Sequence, residues 1–352
     1  MEILAEYGLF LAKLITFAVV ALVVLAIAMS SAHKSRHKED EGEIQVVRMN
    51  DRMRETRETL EASIQDEASR KHWLRDLRRK RKKEKKEAGN RAARQGHDSG
   101  RKRLYVLDFH GDMKASQTGS LRRCVSAILS VADPQRDEVV VRLESAGGMV
   151  HSYGYAAAQL DRIRKRSLPL TASVDKVAAS GGYMMACVAD RIVASPFAIL
   201  GSIGVVAQLP NFHRLLKRND VDFEVLTAGE YKRTLTVFGE NTEKGRKKFR
   251  DDLEETHQLF KLYVRQPRPV GHIDRVATGE IWFGRQALEV SLADELKTSD
   301  ELLMEACDER DVFLVRYEKR KTLPEKLGLS AAAAAESLFM KGFDWLRQSR
   351  YQ

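Results

Sequence analysis

Cysteine is scarce: the chain has three in 352 residues, Cys124, Cys187 and Cys307. Their spacing suits neither a zinc ligand set nor a disulfide framework, which excludes a metal-ribbon or disulfide-stapled protein. Cys124 and Cys187 fall in apolar helical patterns and read as small core hydrophobes. No nucleotide-binding or metal-binding motif appears, so no cofactor is expected. Proline is missing from residues 39–93, so nothing there obliges a helix to break. A general cationic surface is also missing. The formal net charge is +10, but residues 70–103 hold sixteen Lys/Arg against four Asp/Glu, a net +12 that leaves −2 for the rest. The basic character therefore belongs to one segment.

One long apolar run is present, from Gly8 to Met29, interrupted only by Lys13 and Thr16. It matches the ~20 residues needed to cross a hydrocarbon core. No basic region precedes it and it is long for a cleaved leader, so it reads as a retained transmembrane anchor. The flank after it carries His33, Lys34, Arg36, His37 and Lys38, which places the following chain in the cytoplasm by the positive-inside rule. Residues 1–38 are thus taken as anchor with flanks. Residues 39–102 are charged, with sparse apolar positions such as Ile44, Val46, Met49, Met53, Leu60 and Ile64. They predict a solvated helical segment. Its basic end, Arg78 to Lys86, lacks interleaved aromatics, so a tether beside an anionic membrane is preferred to a specific nucleic-acid contact.

The globular part, 103–325, alternates strand and helix. Strands are expected at Leu104–Phe109, Glu138–Leu143, Leu170–Val174, Ile192–Val193, Val221–Thr227 and Phe313–Tyr317. Helices are expected at Ser120–Ala132, Tyr153–Arg166, Gly181–Ala189, Glu243–Val264 and Glu301–Cys307. That alternation predicts an α/β fold with a largely parallel sheet. The tail 326–352 reads as amphipathic.

The chemistry concentrates at glycine turns. Ser180 stands where a loop enters a helix, followed by Gly181 and Gly182. A Ser-Gly-Gly sequence is often only a helix cap. Here a second pair, Gly147-Gly148, follows a strand, and both pairs can present backbone N–H groups to an oxyanion. A serine nucleophile also needs a base. His151 and Lys232 compete for that role. A lysine base has to be neutral, which asks its surroundings to lower its pKa by roughly 3 from ~10.4, about 4 kcal/mol. Residue chemistry alone leaves both open.

The set Glu144–Gly148 (ESAGG), Ala179–Gly182 (ASGG), Gly201–Gly204 (GSIG), Gly229–Lys232 (GEYK) and Ala277–Ala287 (ATGEIWFGRQA) resembles the signal peptide peptidase A family of bacterial serine–lysine proteases. The resemblance spans residues 1 to about 320. It implies a Clp-protease-like or crotonase-like fold, with Ser180 as nucleophile, Lys232 as general base, Ser202 orienting the lysine, and Gly148 and Gly181 in the oxyanion hole. It further implies a homo-oligomeric ring in a bacterial inner membrane, acting on short or unfolded peptides, with the peptidase part on the periplasmic side, against the flanking charges. Two positions depart from the family pattern: Ala146 stands where proline is usual, and Ser291 where glycine is common. The competing readings are an inactive scaffold of the same fold or a crotonase-like acyl-CoA enzyme.

Overall fold

A computed structural model describes residues 42–66, 69–73, 75–83, 101–268 and 271–319. The expected anchor at Gly8–Met29 and the tail 326–352 lie outside the described residues. Among the described residues, no helix is long and apolar enough to cross a membrane.

Ile44–Arg316 forms one compact unit. The described residues open with β1 (Gly42–Arg48) and α1 (Met49–Ile64), and residues 69–73 and 75–83 are helical. There follow β2 (Arg103–Gly111), α2 (Thr118–Val131), β3 (Glu138–Ser145), α3 (Val150–Lys165), β4 (Leu170–Val174) and β5 (Val177–Ala179). Next come α4 (Gly181–Ala186), β6 (Arg191–Ala194), β7 (Ile199–Gly201), α5 (His213–Arg218), α6 (Glu243–Arg265) and α7 (Ile273–Val276). The described residues end in β8 (Ile281–Phe283), α8 (Gly284–Glu289), β9 (Glu295–Leu296), α9 (Ser299–Glu309) and β10 (Asp311–Lys319).

The strands make a mixed sheet ordered β1-β10-β2-β3-β4-β6-β9, and β10, β2, β3, β4, β6 and β9 pair in parallel. Val139, Val140 and Val141 are all buried, as expected for a strand covered on both faces. Alternate residues of β2 divide between the layers. Leu104 and Val106 pack in a cluster with Leu302 and Leu303 of α9, while Phe109 meets Tyr153 of α3 edge-on. Helix α2 buries Leu121, Cys124, Val125 and Ile128, a period of three to four that seats one stripe on the sheet.

Two local expectations change. Val221–Thr227 is not a strand: its apolar residues are exposed and, among the described residues, no strand pairs with it. Conversely, the charged stretch after residue 39 contributes β1, which pairs at the sheet edge with β10. Asn50 then ties α1 down. Its amide donates to the carbonyls of Cys307 and Arg310 and accepts from the N–H of Val312. Met49 and Met53 pack against the core beside it.

The feature that organises the site is a fork in the sheet. The body of β3 pairs with β4, but its last residue, Ser145, pairs with Ala178 of β5. β5 pairs on its other side with β7, Ala179 opposite Gly201. Three parallel strands therefore end side by side, and each runs straight into one of the glycine turns.

Candidate active site

The three turns interlock through backbone. The Ser180 N–H donates to the Gly201 carbonyl at 2.8 Å, joining the second turn to the third. A β-carbon on Gly147 would fall 2.6 Å from the Gly181 nitrogen, so the first turn lies against the second with nothing between. On Gly148 it would fall 2.2 Å from the Met113 carbonyl oxygen, and on Gly182 2.4 Å from that of Ser145. Glycine is required here by close approach, and at Gly147 also by its φ of +92°.

Ser180 takes φ 51° and ψ −119°, a conformation that non-glycine residues rarely hold. It occupies the residue before α4, yet its side chain makes no capping bond. The helix-cap explanation of Ser-Gly-Gly is thereby removed. Ser180 is half-buried, whereas Gly181 to Ala189 behind it are all buried. The hydroxyl thus stands at the rim of a rigid floor.

Two N–H groups beside it are uncommitted. Gly181 opens α4, so its N–H has no acceptor within the helix. Gly147 donates to Ser145 Oγ at 3.1 Å and Met149 to the Met113 carbonyl at 2.9 Å, leaving the intervening Gly148 N–H. Among the described residues, neither the Gly148 nor the Gly181 N–H has a protein acceptor.

Ser202 sits in the third turn at φ 49°, its own N–H bonded to the Glu280 carbonyl at 2.7 Å. His257 of α6 reaches the neighbouring Ile203 carbonyl at 3.1 Å and steadies this turn. Lys232 is on an exposed stretch between α5 and α6. Among the described residues no hydrogen bond joins the side chains of Ser180, Ser202 and Lys232. Backbone contacts gather Ser180, Gly148, Gly181 and the Ser202 turn, and among the described residues Lys232 makes no hydrogen bond to any of them. His151 is exposed in the first turn of α3.

No cysteine competes with Ser180. Burial pushes the Cys187 thiol up to about 12, so it carries no thiolate at neutral pH. Among the described residues, no cluster of His, Cys, Asp or Glu is arranged to hold a metal ion.

Behind α4 lies an ion pair built on a buried arginine that sequence reading missed. Arg268 has a side chain only 2% exposed and donates to both Asp294 carboxylate oxygens at 2.8 Å and to the Ser291 carbonyl. Asp294 also accepts from the Ile192 N–H. Burial opposes charge on Asp294, but the bonds from Arg268 and Ile192 outweigh it and hold the carboxyl below its usual range. Tyr183 of α4 donates to the Leu292 carbonyl, which carries this support to the helix behind Ser180. Ser291, in the glycine-favoured position, does hold a left-handed φ of 61°. Nothing local in the sequence marks Arg268, since its partner lies 26 residues on.

Comparison with known proteins identifies the group. Residues 2–160 match the family described as peptidase family S49 N-terminal, and residues 162–312 match peptidase family S49. The probable protease SohB of Haemophilus influenzae is 47% identical over 344 residues, 95% of this chain and 94% of that protein. The chain belongs to peptidase family S49. The probable protease SohB of Buchnera aphidicola subsp. Acyrthosiphon pisum is 44% identical over 97% of this chain and 98% of its own. Protease 4 of H. influenzae is 26% identical over 48% of this chain and 28% of that protein. Among solved structures, a 1510-N membrane-bound stomatin-specific protease bound to a substrate peptide covers 64% of this chain and 96% of its own, at 12% identity and a TM-score of 0.38. That likeness is too slight to add to the family assignment. The S49 membership bears out the resemblance carried by the glycine motifs, and the chain is accordingly a peptidase with a mixed α/β sheet.

Proposed function

We propose that this S49 chain is a membrane-anchored serine endopeptidase, built on a Clp-protease-like fold, that cleaves short or unfolded peptides through an acyl-enzyme. One observation carries the reading: Ser180 is held in a strained, uncapped turn beside two unbonded N–H groups. Strain of this kind persists where surrounding structure over-determines it, and it lifts a nucleophile clear of the backbone. In the proposed reaction Ser180 Oγ attacks the peptide carbonyl carbon and its proton passes to Lys232 Nζ. The oxyanion takes bonds from the Gly148 and Gly181 N–H groups. The amine leaves with the proton from Lys232, and water then releases the acyl group by the same route. Ser202 orients the lysine.

Lys232 needs apolar cover to serve as a base, and one chain leaves it exposed. We infer that a neighbouring copy in a homo-oligomeric ring supplies that cover. Support comes from apolar side chains left in water on either side of α5, Val206 at 81% and Leu226 at 91% exposed. Membrane attachment through Gly8–Met29, in a bacterial inner membrane with the peptidase part on the periplasmic side, belongs to the same reading, as does the absence of any cofactor.

The test is hydrolysis of casein by the detergent-solubilised full chain. Wild type should cleave it. Ser180→Ala and Lys232→Ala should each lose cleavage while the assembly persists, and His151→Ala should keep most of it. Loss in His151→Ala with Lys232→Ala still active would replace the base. Cleavage by Ser180→Ala would end the serine reading.

A further inference from the structure

We propose that Ser145 and Tyr153 form a buried relay that fixes the first glycine turn against the second, making both positioning residues for the oxyanion-binding N–H groups. The proposal rests on the reading of Ser180 and its neighbours given above.

Proton counting sets the direction of the relay. The Tyr153 oxygen lies 2.7 Å from the Asp112 carbonyl and 2.5 Å from Ser145 Oγ. A carbonyl only accepts, so the single tyrosine proton goes to Asp112. Ser145 must then donate its own proton to Tyr153. That leaves a Ser145 lone pair to accept the Gly147 N–H at 3.1 Å. Every hydrogen in the chain Gly147, Ser145, Tyr153, Asp112 is committed one way, and a fully satisfied buried network of this kind is rigid.

Its placement gives it a role beyond packing. Because the Gly147 N–H points inward to Ser145, the next N–H, that of Gly148, is left free. The Tyr153 ring lies directly under Gly181, where an added β-carbon would come 2.4 Å from the ring. Gly111 at the end of β2 is crowded by the same two hydroxyls, each 2.3 Å from where its β-carbon would stand. One pair of side chains thus touches the ends of β2 and β3 and the start of α4. Tyr153 and Ser145 are 0% and 2% exposed, so no water replaces a lost member of the chain.

Tyr153→Phe keeps the ring under Gly181 and removes only the relay. On the full chain, kcat should fall roughly ten- to a hundredfold with KM within about twofold, since the loss is in the transition state. A peptide aldehyde, whose adduct places an oxyanion in the hole, should bind more weakly by the same factor. Ser145→Ala should behave alike, and Tyr155→Phe, on an exposed position of the same helix, should match wild type. Hydrogen exchange over residues 145–149 should quicken in Tyr153→Phe without substrate present. Unchanged kcat with unchanged exchange would overturn the relay while leaving the peptidase reading intact. Faster exchange with full activity would show a purely structural pair and overturn the positioning role. Hydrolysis that survives Ser180→Ala would instead strike the peptidase reading, and the role of the pair with it.

Discussion

The α-carbon of Gly147 faces the backbone nitrogen of Gly181: a β-carbon there would lie 2.6 Å from that nitrogen and 2.8 Å from both the Ala179 oxygen and Ser180 Cβ. These neighbours are backbone or the serine itself, so none can move without shifting the site. Gly147→Ala should therefore cost about 2–4 kcal/mol, from strain at positive φ together with overpacking. Hydrolysis should fall to the level of Ser180→Ala. Thermal unfolding beside casein hydrolysis checks both, and a Gly147→Ala protein with wild-type activity would refute the close approach.

Ser180 itself stores strain that glycine would not. Ser180→Gly and Ser180→Ala should both be inactive, but their stabilities should differ. Alanine keeps the φ of 51° unfavourable, whereas glycine adopts it freely at some entropic cost in the unfolded chain. Ser180→Gly should be the more stable by about 1 kcal/mol. Equal melting temperatures for the two variants would mean that the turn is not strained.

The site was more legible in the sequence than the surfaces around it. Gly147-Gly148, Ser180-Gly181-Gly182 and Gly201-Ser202 are local signals, and glycine in such turns reports close backbone approach directly. Leu170–Val174 was legible because Leu170, Ala172 and Val174 alternate with small polar residues, the period of a strand. Val221–Thr227 shows the same alternation and is no strand, since apolar residues can equally await another surface. β1 was hidden for the opposite reason: Gly42–Arg48 alternates weakly, and its pairing with β10 spans nearly the whole chain. The Ser145–Tyr153 and Arg268–Asp294 contacts were illegible because each depends on how elements pack, not on spacing.

The Arg268–Asp294 pair should give a measurable acid limb. The Asp294 carboxyl is lowered in the folded chain: burial opposes its charge, and the bonds from Arg268 and Ile192 more than offset this. Its stabilising contribution is therefore complete above the ordinary carboxylate value of ~3.9 and is lost as pH falls through the lowered one. Asp294→Asn leaves Arg268 charged, buried and without its ion partner. That should cost about 1–2 kcal/mol near neutral pH, less than the ~3 kcal/mol for breaking a fully buried pair because Asp294 is 34% exposed and water screens it. The gap between variant and wild type should narrow below the carboxylate range. Urea unfolding at pH 7 and at pH 3 measures it, and a gap that does not change with pH would show that the carboxylate charge contributes nothing.

Lys232 poses the last question: the proposed base would have to be shielded, and this lysine is exposed. It shares the stretch between α5 and α6 with Val221, Phe223, Val225 and Leu226, all exposed. Apolar side chains at that density are costly in water, about 0.8 kcal/mol for each CH2 group left uncovered. If a second copy covers them, the cover and the activity of the lysine arrive together. Specific activity per chain should then fall on dilution, in step with dissociation followed by sedimentation. Leu226→Asp should move both curves at least tenfold to higher protein concentration, while the Ser180 turn keeps its backbone bond to Gly201, which involves no residue of that stretch. Activity per chain that stays constant through dissociation would mean that one chain shields its own base, by folding residues 221–232 back over the serine.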